Sequence, residues 1–211
     1  MRLIGVLDSP YLRRTAISLD ALGVAFTHEP MSVFKEFEQF QAVNPVVKAP
    51  TLVCDDGEVL MDSSLILQFI EAIQPPGNTL WSRDPDELQH EMRAVSLALA
   101  ACDKSVQLIY ERNLRPAELH FAMWTQRVTG QILAAFAGLE AEVKRRQTAF
   151  ANARSQATIT AAIAWRFAQS MLNTVIPATE HPHLAQLSAR MENTPAFRKY
   201  LPTGPGVQPM K

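Results

Sequence analysis

Apolar positions in the first third of the chain change period several times, and each change marks an element. Residues 2–7 form a short apolar run that predicts a strand ending at Asp8. Ser9 and Pro10 then open a helix, Ser9 as its N-cap and Pro10 at the first helical position, where a missing N–H leaves nothing unpaired. Leu12, Ala16, Leu19 and Leu22 continue along one helical face, and Gly23 suits the helix end. Val24, Phe26 and His28 alternate with Ala25, Thr27 and Glu29, which predicts a second strand before Pro30. Residues 31–43, rich in Phe and acidic side chains, hold no clear period and read as irregular, and Asn44-Pro45 reads as a turn. Residues 51–54 and 59–61, joined through Asp55, Asp56 and Gly57, predict a hairpin. Asp62 or Ser63 then caps a helix with Leu65, Ile66, Phe69, Ile70 and Ile73 facing inward, stopped by Pro75, Pro76 and Gly77.

Beyond residue 83 the pattern is helical throughout. Asp84 and Pro85 repeat the N-cap and proline start, and Asp86 and Glu87 complement the positive end of the helix dipole. Leu88, Met92, Val95, Leu99, Cys102, Val106 and Ile109 recur at spacings of four and three, and Trp124, Val128, Ile132, Leu139 and Val143 form a second stripe. Thr158 is the expected cap of a more apolar helix containing Ile159, Ile163, Trp165 and Phe167. Pro182 and Pro195 open two shorter helices, and residues 203–211 read as a tail on the surface. The predicted organisation is an α/β domain at 1–76, a linker at 77–83 and an all-helical domain at 84–211.

Composition narrows the function classes. A chain of 211 residues buries roughly 70–75% of its unfolded surface, enough for two small domains that share an interface. Twenty basic and twenty-one acidic residues leave a net charge of −1, so no bulk field draws in nucleic acid or an anionic membrane. The opening apolar run is too short for a signal-peptide core or a membrane span, which predicts a cytoplasmic protein. Cys54 and Cys102 lie far apart and no His cluster has metal-ligand spacing, so neither a disulfide framework nor a metal site is expected.

Three features stand in one order: Ser9-Pro10-Tyr11 opening the first helix, Asn44-Pro45-Val46-Val47-Lys48-Ala49-Pro50 before the hairpin, and Asp62-Ser63 opening the next helix. The ordered set resembles the cytosolic glutathione S-transferases, in their bacterial serine- or cysteine-type branch. In the helical half, residues 111–116 and the run from Pro182 through Arg190-Met191 to Pro195-Ala196-Phe197 extend the likeness over nearly the whole chain. The resemblance implies a thioredoxin-like N-terminal domain followed by a helical bundle. It also implies glutathione as co-substrate, a small apolar electrophile as second substrate, a role in detoxification, and a homodimer.

In that light Ser9 is the catalytic candidate. A helix N-terminus favours an anion, and a thiolate is one. A hydroxyl donor together with the helix terminus lowers a thiol pKa of about 8.5 by roughly one to three units. Ser9 would stabilise the glutathione thiolate and not attack anything itself. Ser9-Pro10-Tyr11-Leu12 also resembles the Cys-Pro-Tyr-Cys of glutaredoxins with both cysteines replaced, which turns the expectation from disulfide exchange to thiol activation. The resemblance further implies that Pro50 is a cis-proline, that the Ala49 backbone pairs with the cysteinyl part of glutathione, and that Lys48 meets the glycyl carboxylate. Ser63 would then bind the γ-glutamyl carboxylate and Asp62, where the family usually has Glu or Gln, its ammonium group. Tyr11, Tyr110 and Trp165 are the aromatic candidates for the second-substrate pocket. In the family a Ser or Thr followed three residues later by Asp caps a core helix, whereas Thr158 is followed by Ala161. Alternatives are a binding or scaffolding protein that keeps the fold without turnover, and a glutathione-dependent isomerase or dehalogenase.

Overall fold

The computed structural model describes residues 1–207; residues 208–211, the end of the stretch expected as a surface tail, lie outside the described residues. The chain divides into two compact units, Met1–Leu80 with Thr194–Gly206, and Trp81–Asn193.

The first unit is built on a mixed four-stranded sheet. Strand β1 (Arg2–Ile4) pairs in parallel with β2 (Thr27–Glu29) and antiparallel with β3 (Thr51–Val53), which pairs antiparallel with β4 (Val59–Met61), giving the order β2-β1-β3-β4. Helix α1 (Pro10–Ala21) makes the crossover, α2 (Phe37–Val43) precedes β3, and α3 (Ser63–Ala72) follows β4. This is a thioredoxin-like domain, with a core of Leu3, Ile4, Leu12, Ile17, Leu19, Leu52, Ile66 and Ile70.

Both leading strands are shorter than their hydrophobic patterns. After Ile4 the chain turns at Gly5 (φ 140°), where a Cβ would stand 3.0 Å from Leu12 Cδ1 and 3.1 Å from Ala49 Cβ; only glycine admits the bend and the contact. The Val24 N–H closes the end of α1 on Leu19 O at 2.9 Å, so only residues 27–29 reach β1. Helix α2 corrects the irregular reading of 31–43. Its signal lies before it: the Ser32 hydroxyl accepts from the N–H groups of Phe34 and Lys35, Glu36 accepts from the Ser32 N–H, and Phe40 is fully buried.

The second unit is helical. Helices α4 (Pro85–Leu114), α5 (Ala122–Arg145), the short α6 (Gln147–Phe150), α7 (Gln156–Leu172) and α8 (Pro182–Glu192) form it, with α4 packed on α5 and α7, and α7 on α8. The seam of α4 runs through small residues, Ala94, Ala98, Ala101 and Ser105, and not through Met92, which is exposed. Every residue from 155 to 165 is buried. The cap of α7 is Ser155, whose hydroxyl accepts from the Ala157 N–H and donates to Glu91; Thr158 lies one turn inside the helix. Among the described residues no helix is long and apolar enough to cross a membrane.

Helix α9 (Pro195–Lys199) and the residues after it pack on the first unit, so the expected single boundary near residue 80 gives way to a chain that returns. The reason is Arg13. It is buried in α1, donates through Nε to Tyr200 O at 2.7 Å and through Nη2 to Phe197 O at 3.4 Å, and lies 5.1 Å from the centre of the Phe197 ring. Phe26 stacks on Tyr200 at 6.0 Å, and Lys199 pairs with Asp20.

Candidate functional site

Helix α1 starts where the sequence places its start. Ser9 has extended backbone (φ −71°, ψ 122°), Pro10 follows at the first helical position, and the Ser9 hydroxyl accepts a long hydrogen bond of 3.4 Å from the Leu12 N–H. Among the described residues that hydroxyl donates its proton to no protein acceptor, so on a half-buried helix N-terminus it remains available to an anion.

Helix α3 repeats the arrangement. Asp62, at φ 73°, is its N-cap: Oδ1 accepts from the N–H groups of Ser64 at 2.9 Å and Leu65 at 3.4 Å, and Oδ2 lies 3.3 Å from Lys48 Nζ. Burial opposes ionisation of this carboxyl, but the Ser64 N–H and Lys48 outweigh it and hold Asp62 below the usual carboxylate range. Ser63 is the first helical residue and is buried.

Arg14 joins the two helix starts. It sits one turn into α1, is 2% exposed, and its Nη1 donates to the hydroxyls of Ser63 at 3.0 Å and Ser64 at 3.2 Å. A guanidinium only donates, so a Ser63 oxygen that accepts from it keeps its own proton for another acceptor. A buried cation, a hydroxyl donor and the positive end of α3 therefore converge, the chemistry that suits a carboxylate. The sequence reading missed Arg14. Its signal was available: neither Arg13 nor Arg14 has an acidic residue three or four positions away in sequence, so no i,i+4 ion pair on α1 accounts for either cation.

The segment before β3 is pinned between them. Asn44 is buried, its Nδ2 donating to Thr51 Oγ1 at 2.8 Å and its Oδ1 accepting from the Val46 N–H at 3.1 Å. Val47 has φ 53°, a left-handed backbone that a β-branched residue rarely adopts, and the Ala49-Pro50 bond is cis. The Ala49 side chain abuts Gly5, so this segment borders the loop that carries Ser9.

The first unit thus gathers Ser9, Lys48, Ala49, Pro50, Asp62 and Ser63, with Lys48 paired to Asp62. Tyr11, on α1, is half-buried. Tyr110 and Trp165 belong to the second unit. Tyr110 is 38% exposed on α4, whereas Trp165 is 4% exposed and packs in the core, edge-on to Phe136 at 5.7 Å and 5.3 Å from His181. Of the three pocket candidates, Tyr11 and Tyr110 reach solvent.

Residues 3–78 match the model of the glutathione S-transferase N-terminal domain. The chain is 32% identical over 120 residues to the GST-like protein YibF of Escherichia coli (strain K12), and 37% identical over 76 residues to a probable glutathione S-transferase, BZ2, of Zea mays. These alignments cover 56% and 35% of the chain and 57% and 32% of those proteins, so the chain spans about half or less of the curated relatives it matches. A glutathione transferase family member of Pseudomonas fluorescens Pf-5, solved with bound S-(propanoic acid)-glutathione, shares 28% identity at a TM-score of 0.79, over 97% of this chain and all of that one. The form with glutathione itself gives 26% identity and a TM-score of 0.84, over 96% of this chain and 99% of that one. The sheet order, the paired helix starts and these likenesses agree, and residues 3–78 form an N-terminal domain of the glutathione S-transferase superfamily.

Proposed function

We propose that the chain binds glutathione in its first unit and activates the thiol for attack on a small electrophile. The observation that carries this reading is Arg14, which starts from the helix capped by Ser9 and donates to Ser63 at the start of α3, tying two anion-favouring helix ends into one element. The γ-glutamyl carboxylate would take the Ser63 hydroxyl and the Ser63 N–H. Asp62 would face the ammonium group, and the Ala49 backbone would pair with the cysteinyl part. Lys48 would exchange its contact with Asp62 for the glycyl carboxylate, a small loss because both side chains are half exposed.

Ser9 supplies the chemical step. Its free proton, directed at the glutathione sulfur, stabilises the thiolate alongside the N–H groups of α1 and so raises the ionised fraction at neutral pH. The thiol proton leaves to solvent, the thiolate sulfur bonds to the electrophilic carbon as the halide departs, the epoxide C–O bond opens or the alkene π pair takes up a proton, and Ser9 forms no covalent bond. The Pseudomonas fluorescens relative with its bound glutathione conjugate supports a substrate of this class. The exposed apolar stripe Leu65, Phe69 and Ile73 on α3, where an inward face was expected, supports a second copy of the chain as partner. A cytoplasmic site of action is the reading that goes with glutathione as co-substrate.

The test is calorimetric titration of glutathione, followed by turnover with a panel of activated aryl halides, epoxides and α,β-unsaturated carbonyls. Saturable binding with conjugation of at least one class is the expected result. No heat and no melting shift at 10 mM glutathione, roughly the upper end of the micromolar to millimolar binding expected here, would remove the reading.

A further inference from the structure

The closing stretch of the chain reaches the loop that carries Ser9, and we propose that Asp8 is a positioning residue through which residues 203–206 hold that loop in its working shape. The inference rests on the reading of Ser9 as the thiolate donor.

Three contacts make the strap. The Asp8 N–H donates to Thr203 O at 3.1 Å, and the Gly206 N–H donates to Asp8 Oδ2 at 2.8 Å. Gly204 lies so close to the same carboxylate that a Cβ would stand 2.2 Å from Oδ2 and 2.3 Å from Cγ. The strap is itself anchored upstream, where Arg13 donates to Tyr200 O and Phe197 O. On its other side the Ser9 loop is tied by Gly5 N–H to Glu29 O and by Ser9 N–H to Val6 O, both at 3.1 Å. Asp8 is therefore gripped between the end of β1 and a segment nearly 200 positions later in sequence, and the next residue is Ser9.

This arrangement does more than cap a helix. Pro10 and the Leu12 N–H fix the helix side of Ser9, but neither fixes the approach of the chain from β1. A hydroxyl that stabilises a thiolate is sensitive to small displacements, because the donor must be aimed at where the charge resides. Burial pushes the Asp8 carboxyl up from its ordinary value, against hydrogen bonds from Gly206, Ser9 and its own N–H. Its negative charge lies beside the place where a thiolate would form, so charge alone would disfavour that thiolate. Position, not charge, is what Asp8 contributes.

That opposition makes the two roles separable in the full-length protein. Gly204→Ala keeps the carboxylate but forces it away from the strap. Asp8→Asn removes the charge and keeps an acceptor of the same shape for the Gly206 N–H. Asp8→Ala deletes the acceptor without adding an atom, and serves if Gly204→Ala does not fold. Melting curves, glutathione Kd, the pH titration of bound-thiolate absorbance and kcat are measured for each. Gly204→Ala and Asp8→Ala should lose kcat by about tenfold at neutral pH and raise the bound-thiol pKa, with Kd within about twofold of wild type. Asp8→Asn should keep kcat within about threefold. Wild-type kcat and thiol titration in Gly204→Ala, or in Asp8→Ala where that variant stands in, overturn the proposal, as does an Asp8→Asn loss as deep as either. A wild type that binds no glutathione would take the reading of Ser9 down together with this inference. Failure of the strap alone leaves wild-type binding and turnover intact.

Discussion

Replacing Arg14 by Met tests the electrostatic core of the site with little change in volume. The guanidinium is 2% exposed and supplies hydrogen bonds to Ser63 and Ser64 at 3.0 and 3.2 Å. A carboxylate accepting from the Ser63 hydroxyl would lie roughly 5–6 Å from Nη1, since that path joins two ordinary hydrogen bonds. At an effective dielectric of about 20, opposite charges at that separation attract by about 3 kcal/mol. The loss on truncation should be about 2–3 kcal/mol, a roughly 30- to 150-fold weaker Kd, because water re-solvates part of the vacated space. Stability should change less than affinity, because removing a buried cation also removes its desolvation penalty. Arg14→Lys should recover only part of the affinity, since an ammonium on a shorter stem lacks the fixed planar fork that holds the donor at Ser63 and Ser64. Calorimetric titration of glutathione at pH 7 reads the effect, with thermal melting as the check on folding. A wild-type Kd in a folded Arg14→Met protein would refute the assignment of the γ-glutamyl carboxylate to this end of α3.

Ser9→Ala should keep glutathione Kd within about twofold while neutral-pH turnover falls by roughly tenfold to several hundredfold and the bound-thiol pKa rises, read by thiolate absorbance against pH. Asp62→Asn addresses a carboxyl held below its unfolded value by the Ser64 N–H and Lys48. Such a group stabilises the fold above the unfolded pKa of about 3.9 and loses that contribution as pH falls through the folded value, so the gap in melting temperature between wild type and variant should close between about pH 5 and pH 2. Ser155→Ala removes the cap of α7 and its bond to Glu91, and should cost about 1–2 kcal/mol in urea unfolding with glutathione affinity unchanged. Leu65→Lys with Phe69→Lys should turn a dimer into monomer in light scattering if the exposed stripe on α3 is the surface between copies.

Most of the first unit was legible because its elements begin with local signals that tertiary packing does not overrule. Ser9-Pro10 and Asp62-Ser63 each start a helix in the structure, as Asp84-Pro85 does in the second unit. On α3 and α4 the differences share a cause, which is that side-chain size does not decide which apolar residues are buried. The seam of α4 holds Val95, Cys102 and Ile109 of the expected stripe, but Ala94, Ala98 and Ala101 fill it where Met92, which is exposed, was expected, and these alanines let α5 and α7 approach closely. On α3 the large residues Leu65, Phe69 and Ile73 are exposed while Ile66, Leu67 and Ile70 fill the core, because a stripe wider than one sheet can cover leaves its edge outside. Helix α2 escaped because its N-terminal signal, Ser32 with Glu36, stands a turn before its first residue. Thr158 suits a cap by residue type, but Ser155, three residues earlier, suits it equally and is the residue the backbone uses.

The site itself is where local rules are broken, and the breaks fall together. Val47 and Asp62 are the non-glycine residues with positive φ among the described residues, and each such conformation costs roughly 1–3 kcal/mol unless its surroundings over-determine it. Here they do: Asn44 is bonded on both sides of the Val47 turn, and Asp62 is fixed by two helix N–H groups and Lys48. Arg14, a cation buried against two hydroxyls, is the third exception. A domain selected only to fold would gain from a glycine at 47 and an apolar residue at 14. Keeping all three in the unit that carries the starts of α1 and α3 fits the proposed function, in which the Ser9 and Ser63 donors meet the thiolate and carboxylate of glutathione.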